Sequence, residues 1–438
     1  MPDSAPHLVR RLGLFDATMI VMGGIIGSGI FMNPAVVAQR VHTSFLILGV
    51  WILGGFIALV AAFIWAELAT RRPDVGGQYA YLREAFHPVV AFLYGWVLLL
   101  VIQTGGMAAV AVTFSRYFIE LTNLQIRDSV LAAIVLAVLT VVNCFGVKVG
   151  SVVQSILMIL KILAIVGLVA CGLVLVAPNV VGPVESAQPA SFGSITTIGA
   201  AMVPVLFAYG GWQTATFVAG EIKEPERNLS WGLIFGVAGV VVLYVAANFV
   251  YLRALGPSGL AEATAPASEV MRRGLGKTGA RIIAAGIAIS TVGFLSQSML
   301  TAPRVYFAMA KDGLFFQQVA KVHPRTHVPV VAIALQGAFA ILIAFWGRYE
   351  QILNYVVSMD FIFFGLTACC LFVFRKRETS LHTSLPTPGH PFTTLIFIAA
   401  CWLVVINTVV RYPSNTLIGM GILAAGVPAY LFWSGGRK

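Results

Sequence analysis

Gly23-Gly24-Ile25-Ile26-Gly27-Ser28-Gly29-Ile30-Phe31 lies in the middle of an apolar run from about 14 to 38. At about 1.5 Å of rise per residue, a helix of that length crosses the roughly 30 Å hydrocarbon core of a bilayer. Four glycines in seven positions suit such a helix poorly, since each costs about 1 kcal/mol relative to alanine. An unwound turn at that depth survives only inside protein or beside a polar cavity, because free backbone groups are costly in hydrocarbon. Two readings of the stretch stand side by side. Either the helix is broken and its exposed amides hold a solute, or it is smooth and packs closely through small residues.

Outward from this stretch, the 438-residue chain is 59% hydrophobic and only 10% charged, with a mean hydropathy of +0.90. Soluble domains carry about 25% charged residues, so the chain reads as an all-α polytopic membrane protein. The net charge of +11 does not mark a nucleic-acid binder. Its basic residues are scattered through short connections between apolar runs, which is the pattern of membrane orientation. All five cysteines (Cys144, Cys171, Cys369, Cys370 and Cys401) fall in apolar segments and read as packing residues. His323 and His327 are four apart, but Pro324 and Pro329 oppose the helix that would aim both at one metal. No metal, cofactor or enzymatic nucleophile–base set is expected.

Apolar runs of spanning length fall near 14–38, 45–68, 88–115, 129–147, 151–176, 196–219, 231–253, 280–308, 328–347, 350–374, 392–411 and 415–434. They predict twelve transmembrane helices, with both termini on one side. Lys and Arg are richer in the connections on that side, including Arg71, Arg72, Arg83, Lys311, Arg375, Lys376 and Arg377, which assigns both termini to the cytoplasm. The expected organisation is a cytoplasmic tail over 1–13, a five-helix unit over 14–176, a second over 196–374, and two trailing helices over 392–434.

The sixth run repeats the oddity of the first. Pro204 precedes the pair Gly210-Gly211 at mid-membrane depth. Runs one and six are corresponding members of two five-helix halves that cross in opposite directions, and paired interruptions of this kind point to a transporter site. The first run goes outward, so its second half opens with free N–H groups that suit a carboxylate. The sixth goes inward, so its first half ends in free carbonyls that suit an ammonium. One site holding both charges is built for an α-amino acid.

Gly23 to Pro34, Glu67 to Trp96, Phe207 to Trp212 and Glu221 to Leu229 together resemble the amino acid–polyamine–organocation superfamily, and within it the L-type amino acid transporters. The resemblance covers all twelve runs. It implies two inverted five-helix repeats plus two helices, working by alternating access. It also implies that Gly27, Ser28 and Gly29 take the substrate carboxylate, and that Ile25, Phe207, Ala208 and Gly210 offer carbonyls to the amine, with Phe207 as an aromatic gate. The charges from Glu221 to Arg227 read as a helix end with local ion pairs. The family's mammalian members join a glycoprotein through a cysteine after the third helix. Residues 116–128 contain none, so no disulfide-linked heavy subunit is expected, and the chain reads as a stand-alone bacterial member.

Two charges lie deep in apolar runs. Lys161, in the fifth, costs at least about 2.5–3.5 kcal/mol to insert. It matches a lysine that relatives carry there as a substitute for a sodium ion, with Ser290 as its partner in the eighth helix. Asp360, in the tenth, faces either a basic or hydroxyl group of the protein or the substrate side chain. The expectation is a sodium-independent exchanger of small neutral amino acids (alanine, serine, threonine, cysteine) in the inner or plasma membrane, whose partners are substrate and lipid. The alternatives are a proton-coupled symporter using Lys161, an exchanger of cationic amino acids, and, from another class, a membrane amino acid receptor.

Overall fold

A computed structural model describes residues 12–73, 76–145, 151–179, 192–324, 328–346, 349–378 and 385–435. Its helices are α1 (Leu14–Ile25), α2 (Gly29–Val41), α3 (Ser44–Arg71), α4 (Gln78–Ala85), α5 (Pro88–Val97), α6 (Gln103–Thr122), α7 (Asp128–Cys144) and α8 (Ser151–Val174). They continue as α9 (Phe192–Tyr209), α10 (Thr214–Phe217), α11 (Pro225–Glu262), α12 (Pro266–Thr301), α13 (Pro303–Lys311), α14 (Val330–Trp346), α15 (Tyr349–Arg377), α16 (Phe392–Arg411) and α17 (Pro413–Gly435). Each apolar run read from the sequence contains a helix. Among the described residues, nine helical stretches are long and apolar enough to cross a membrane, and α7 and α14 are shorter apolar helices. The chain is an all-helical, multi-pass membrane protein.

Small residues set the closest helix contacts. A Cβ added to Gly232 would stand 2.8 Å from Ala17 Cβ, and one on Gly236 would stand 2.6 Å from Val21 Cγ1. The backbone of α11 therefore lies directly on α1, as is usual where helices associate in lipid through van der Waals packing. Behind them, the rings of Trp51, Tyr209 and Tyr244 meet edge-on or tilted at 5.2–6.0 Å. That cluster joins α3, α9 and α11 and orients the tyrosine hydroxyls.

Pro204 is not where the sixth run breaks. It lies inside α9, where its missing N–H leaves the Ala200 carbonyl without the usual donor. Arg40 of α2 donates to that carbonyl instead, and Asn33 Nδ2 donates to Pro204 O at 2.6 Å. Two side chains from α2 thus keep α9 helical through the proline. The region between runs seven and eight, read as a plain connection, is largely helical as well. Pro257 and Pro266 sit at helix starts, and Gly256 (φ +70°) and Gly276 (φ +65°) bend α11 and α12. The end of the expected tail is also held. Leu12 N donates to Glu221 O at 3.1 Å and Lys223 N to Leu12 O at 2.8 Å, a single parallel bridge. The division between runs four and five falls at 146–150, outside the described residues.

Candidate functional site

Helices α1 and α2 form one run interrupted at Ile26-Gly27-Ser28. Gly27 N turns back to Ile25 O at 2.8 Å, and Phe31 and Met32 restart the helical ladder on Ser28 O at 3.1 Å. The amides of Ser28, Gly29 and Ile30 donate no hydrogen bond among the described residues, and neither does buried Ser28 Oγ have a partner. This is an open helix N-terminus with the partial positive charge that such ends carry.

The second break is at Gly210-Gly211, where α9 stops. Gly210 N still bonds Leu206 O at 2.9 Å, but Gly211 N turns to Gln213 Oε1 at 3.0 Å. The carbonyls of Ala208, Tyr209 and Gly210 consequently accept nothing among the described residues. Gly211 has φ +116°, and a Cβ there would lie 2.0 Å from Gly24 O. Only glycine permits both that backbone angle and this contact, so the two breaks touch. Beyond it, α10 spans only Thr214–Phe217 before a 3₁₀ turn over Ala219–Glu221.

A cavity of about 80 Å³ lies between the breaks. Of the residues singled out in the sequence, Ile25, Gly27, Ser28, Gly29, Phe207, Gly210 and Asp360 line it. Ala208 stands behind the wall, where a Cβ on Gly29 would meet its Cα at 2.5 Å. Ile25 differs from the other backbone groups at the site. Its carbonyl already accepts Gly27 N at 2.8 Å and the Tyr244 hydroxyl at 3.2 Å, which uses both lone pairs. The pair Lys161 and Ser290 lies apart from these groups. Lys161 Nζ donates to Ile26 O at 3.2 Å and stands 5.8 Å from the Phe294 ring centroid, while buried Ser290 Oγ has no hydrogen-bond partner among the described residues. Neither Lys161 nor Ser290 lines the cavity. Two side chains, from α8 and α11, therefore hold the consecutive carbonyls of Ile26 and Ile25.

Gln103, Gln213, Gln297, Ser298 and Thr301 also contribute to the polar lining and were not singled out. Gln103 follows a π-turn over Leu98–Ile102, which rotates the start of α6 relative to α5; such turns recur at functional sites. The available signal was the small and polar group Gln103-Thr104-Gly105-Gly106 inside an otherwise apolar run.

On the face where α1 begins, charged side chains seal the helix ends together. Glu67, with no exposed surface, accepts from Arg375 Nε and Nη2 at 2.8 and 2.7 Å, from Arg71 Nη2 at 3.1 Å and from Thr387 N at 2.7 Å. Arg83 pairs with Asp312, which also accepts from Tyr79 Oη at 2.8 Å. Glu221 pairs with Arg304 of α13 at 2.6 Å. The expected local ion pairs of 221–227 are thus replaced, at Glu221, by a bond across the fold. On the opposite face a wide recess is lined by Arg116, Glu120, Glu262, Glu269, Arg272 and Arg273.

A family model described as amino acid permease matches residues 12–426. The chain is 30% identical over 436 residues to the serine/threonine exchanger SteT of Bacillus subtilis (strain 168), covering 97% of this chain and 96% of that protein. It is 30% identical over 437 residues to the large neutral amino acids transporter small subunit 2 of Homo sapiens, covering 97% and 81%. Identity to the human cystine/glutamate transporter is 27% over 429 residues, covering 97% and 85%.

Proposed function

The chain belongs to the amino acid permease family, within the amino acid–polyamine–organocation superfamily, and from that premise we propose that it exchanges small neutral amino acids without sodium. The observation that carries this reading is the pair of opposed backbone ends across one cavity. Free amides at Ser28, Gly29 and Ile30 face a substrate carboxylate, and free carbonyls at Ala208 and Gly210, with Phe207, face its ammonium. Ile25 would add a carbonyl only after releasing Tyr244.

The proposal includes twelve spans in two inverted repeats, 14–176 and 196–374, with both termini in the cytoplasm and no disulfide-linked partner subunit. Lys161 supplies a fixed cation at the first break, and this is the physical basis for expecting no sodium requirement. On this reading Phe207 is the gate over the bound substrate, and Asp360 reads the side chain. The serine/threonine exchange for which the Bacillus relative is named agrees with a small neutral substrate.

The test is uptake of labelled alanine into proteoliposomes preloaded with unlabelled amino acids, with choline replacing sodium. Uptake should require internal amino acid and ignore sodium, and serine, threonine and cysteine should compete. A sodium requirement, or equal uptake into empty vesicles, would overturn the exchange reading. A second reading, exchange of cationic amino acids, is favoured by one observation only: a carboxylate, Asp360, lies on the cavity wall.

A further inference from the structure

Asp360 of α15 lines the cavity, and its Oδ1 accepts no hydrogen bond among the described residues. None of the ion pairs among those residues includes it. Two further buried polar atoms on neighbouring helices are equally unsatisfied. Tyr94 of α5 is near enough to feel the charge of both Asp360 and Tyr306 of α13. The two tyrosines are 0% and 1% exposed, and neither hydroxyl has a partner among the described residues. Helices α5, α13 and α15 thus each bury a polar group that has no partner among the described residues.

Among the described residues, no counter-charge pairs with Asp360. Cys401 of α16 is a further titratable group near Asp360. On α3 and α4, the charged Glu67, Arg71, Arg83 and Glu84 belong to the sealed face, as do Arg375 and Arg377 at the end of α15 itself. Arg375 follows Asp360 by about four helical turns, roughly 22 Å along the axis. Arg116 and Glu120 lie towards the far end of α6, on the recess. Tyr209 of α9 donates to Trp51 O, Arg411 of α16 to Thr196, and Tyr430 of α17 packs on Phe92.

An unpaired charge at this depth is costly, so the site stays neutral by exchanging one positive charge for another. We propose that Asp360 is a proton-exchange site that selects substrate class. It holds a proton while a neutral amino acid occupies the cavity and gives that proton up when a cationic side chain arrives. The carboxyl O–H bond breaks, the electron pair stays on the carboxylate, and the proton leaves directly to water in the cavity that Asp360 lines. The side-chain cation then pairs with the carboxylate, leaving the charge of the site unchanged. This rests on the reading of the cavity as the amino acid site.

The experiment measures competition by alanine and by lysine for exchange in proteoliposomes at about pH 6 and about pH 8, bracketing a titration that changes occupancy up to about tenfold per unit. A pH-sensitive dye inside the vesicles records protons during lysine-for-alanine exchange. Preference for lysine over alanine should rise at least about tenfold towards the higher pH, and lysine entry should carry a proton outward. In Asp360→Asn the ratio should no longer depend on pH. A wild-type ratio that ignores pH, or a pH dependence that survives in Asp360→Asn, overturns the proposal. A changed alanine-to-lysine ratio in Asp360→Asn with no pH effect in the wild type sinks this proposal alone. An equal loss for every substrate would instead remove Asp360 from the side-chain pocket altogether. Should Asp360→Asn not fold, the wild-type dye response decides: no proton movement during lysine entry refutes the idea.

Discussion

Lys161 Nζ donates to the carbonyl of Ile26 across 3.2 Å, joining the middle of α8 to the first residue of the break between α1 and α2. Its 2% exposure leaves the ammonium no route to water. The bond therefore satisfies two groups that would otherwise be stranded: a cation in α8 and a carbonyl freed by the unwound turn.

Lys161→Ala should accordingly disorder the break while leaving the helices inserted. A hydrogen bond to a charged group contributes about 1.5–3 kcal/mol, so exchange should fall roughly ten- to a hundredfold. Radiolabelled alanine exchange in proteoliposomes, with size-exclusion profiles as the folding control, measures this. Normal exchange in the variant would show that the lysine is only a packing residue.

Two glycines of the break should respond differently to alanine. At Gly29 the added Cβ would lie 2.5 Å from Ala208 Cα, a backbone atom that cannot move aside. At Gly27 it would lie 3.4 Å from the Phe294 ring, which is ordinary contact with a rotatable side chain. Gly29→Ala should abolish substrate binding, whereas Gly27→Ala should keep measurable binding, read by substrate-induced thermal shift. Equal affinities in the two variants would contradict the close approach of α2 to α9.

Glu67 holds two guanidiniums and one amide with a single carboxylate. In Glu67→Gln, Arg71 and Arg375 would face one another without their shared counter-ion, and breaking a buried pair from one side costs about 3–5 kcal/mol. The melting temperature should drop by several degrees for a loss of this size. A cysteine placed at Thr387, which bonds Glu67 and is 4% exposed, should become reactive to a membrane-impermeant thiol reagent in the double variant. An unlabelled cysteine with an unchanged melting temperature would refute the sealing role.

His390, in the connection that carries Thr387, should make this seal sensitive to acid. Burial lowers its pKa below the usual 6.5, with the positive charge of Arg375 acting in the same direction. Its Nδ1 shares a 2.9 Å hydrogen bond with Thr394 Oγ1, and its ring packs 4.7 Å from Phe372. A histidine held neutral in the fold contributes stability above its unfolded pKa, and that contribution is lost as pH falls below it towards the folded value. Melting temperature should therefore drop more in the wild type than in His390→Asn between about pH 7.5 and about pH 5.5. Parallel curves for the two proteins would exclude His390 as the sensor.

Hydropathy alone determined that the chain is a multi-pass helical protein and where its helices run, because lipid leaves the backbone almost no alternative. The glycines at Gly27, Gly29, Gly210 and Gly211 likewise announced both interruptions, since their cost in a helix is local and independent of neighbours. That the helix continues through Pro204 was not legible, because the remedy, Arg40 on Ala200 O, comes from a helix 160 residues away. Gln103, Ser298 and Thr301 escaped notice because helices that are apolar nearly all round do not advertise which face turns inward. Rotation about each helix axis is decided by packing, and packing put Tyr244 on Ile25, Lys161 on Ile26 rather than Ser290, and Arg304 on Glu221. The sequence alone thus determined the class of the protein and its two broken helices. Tertiary structure decided which side chains share the cavity and which hold its broken ends, because those contacts depend on the mutual rotation and close approach of helices far apart in the chain.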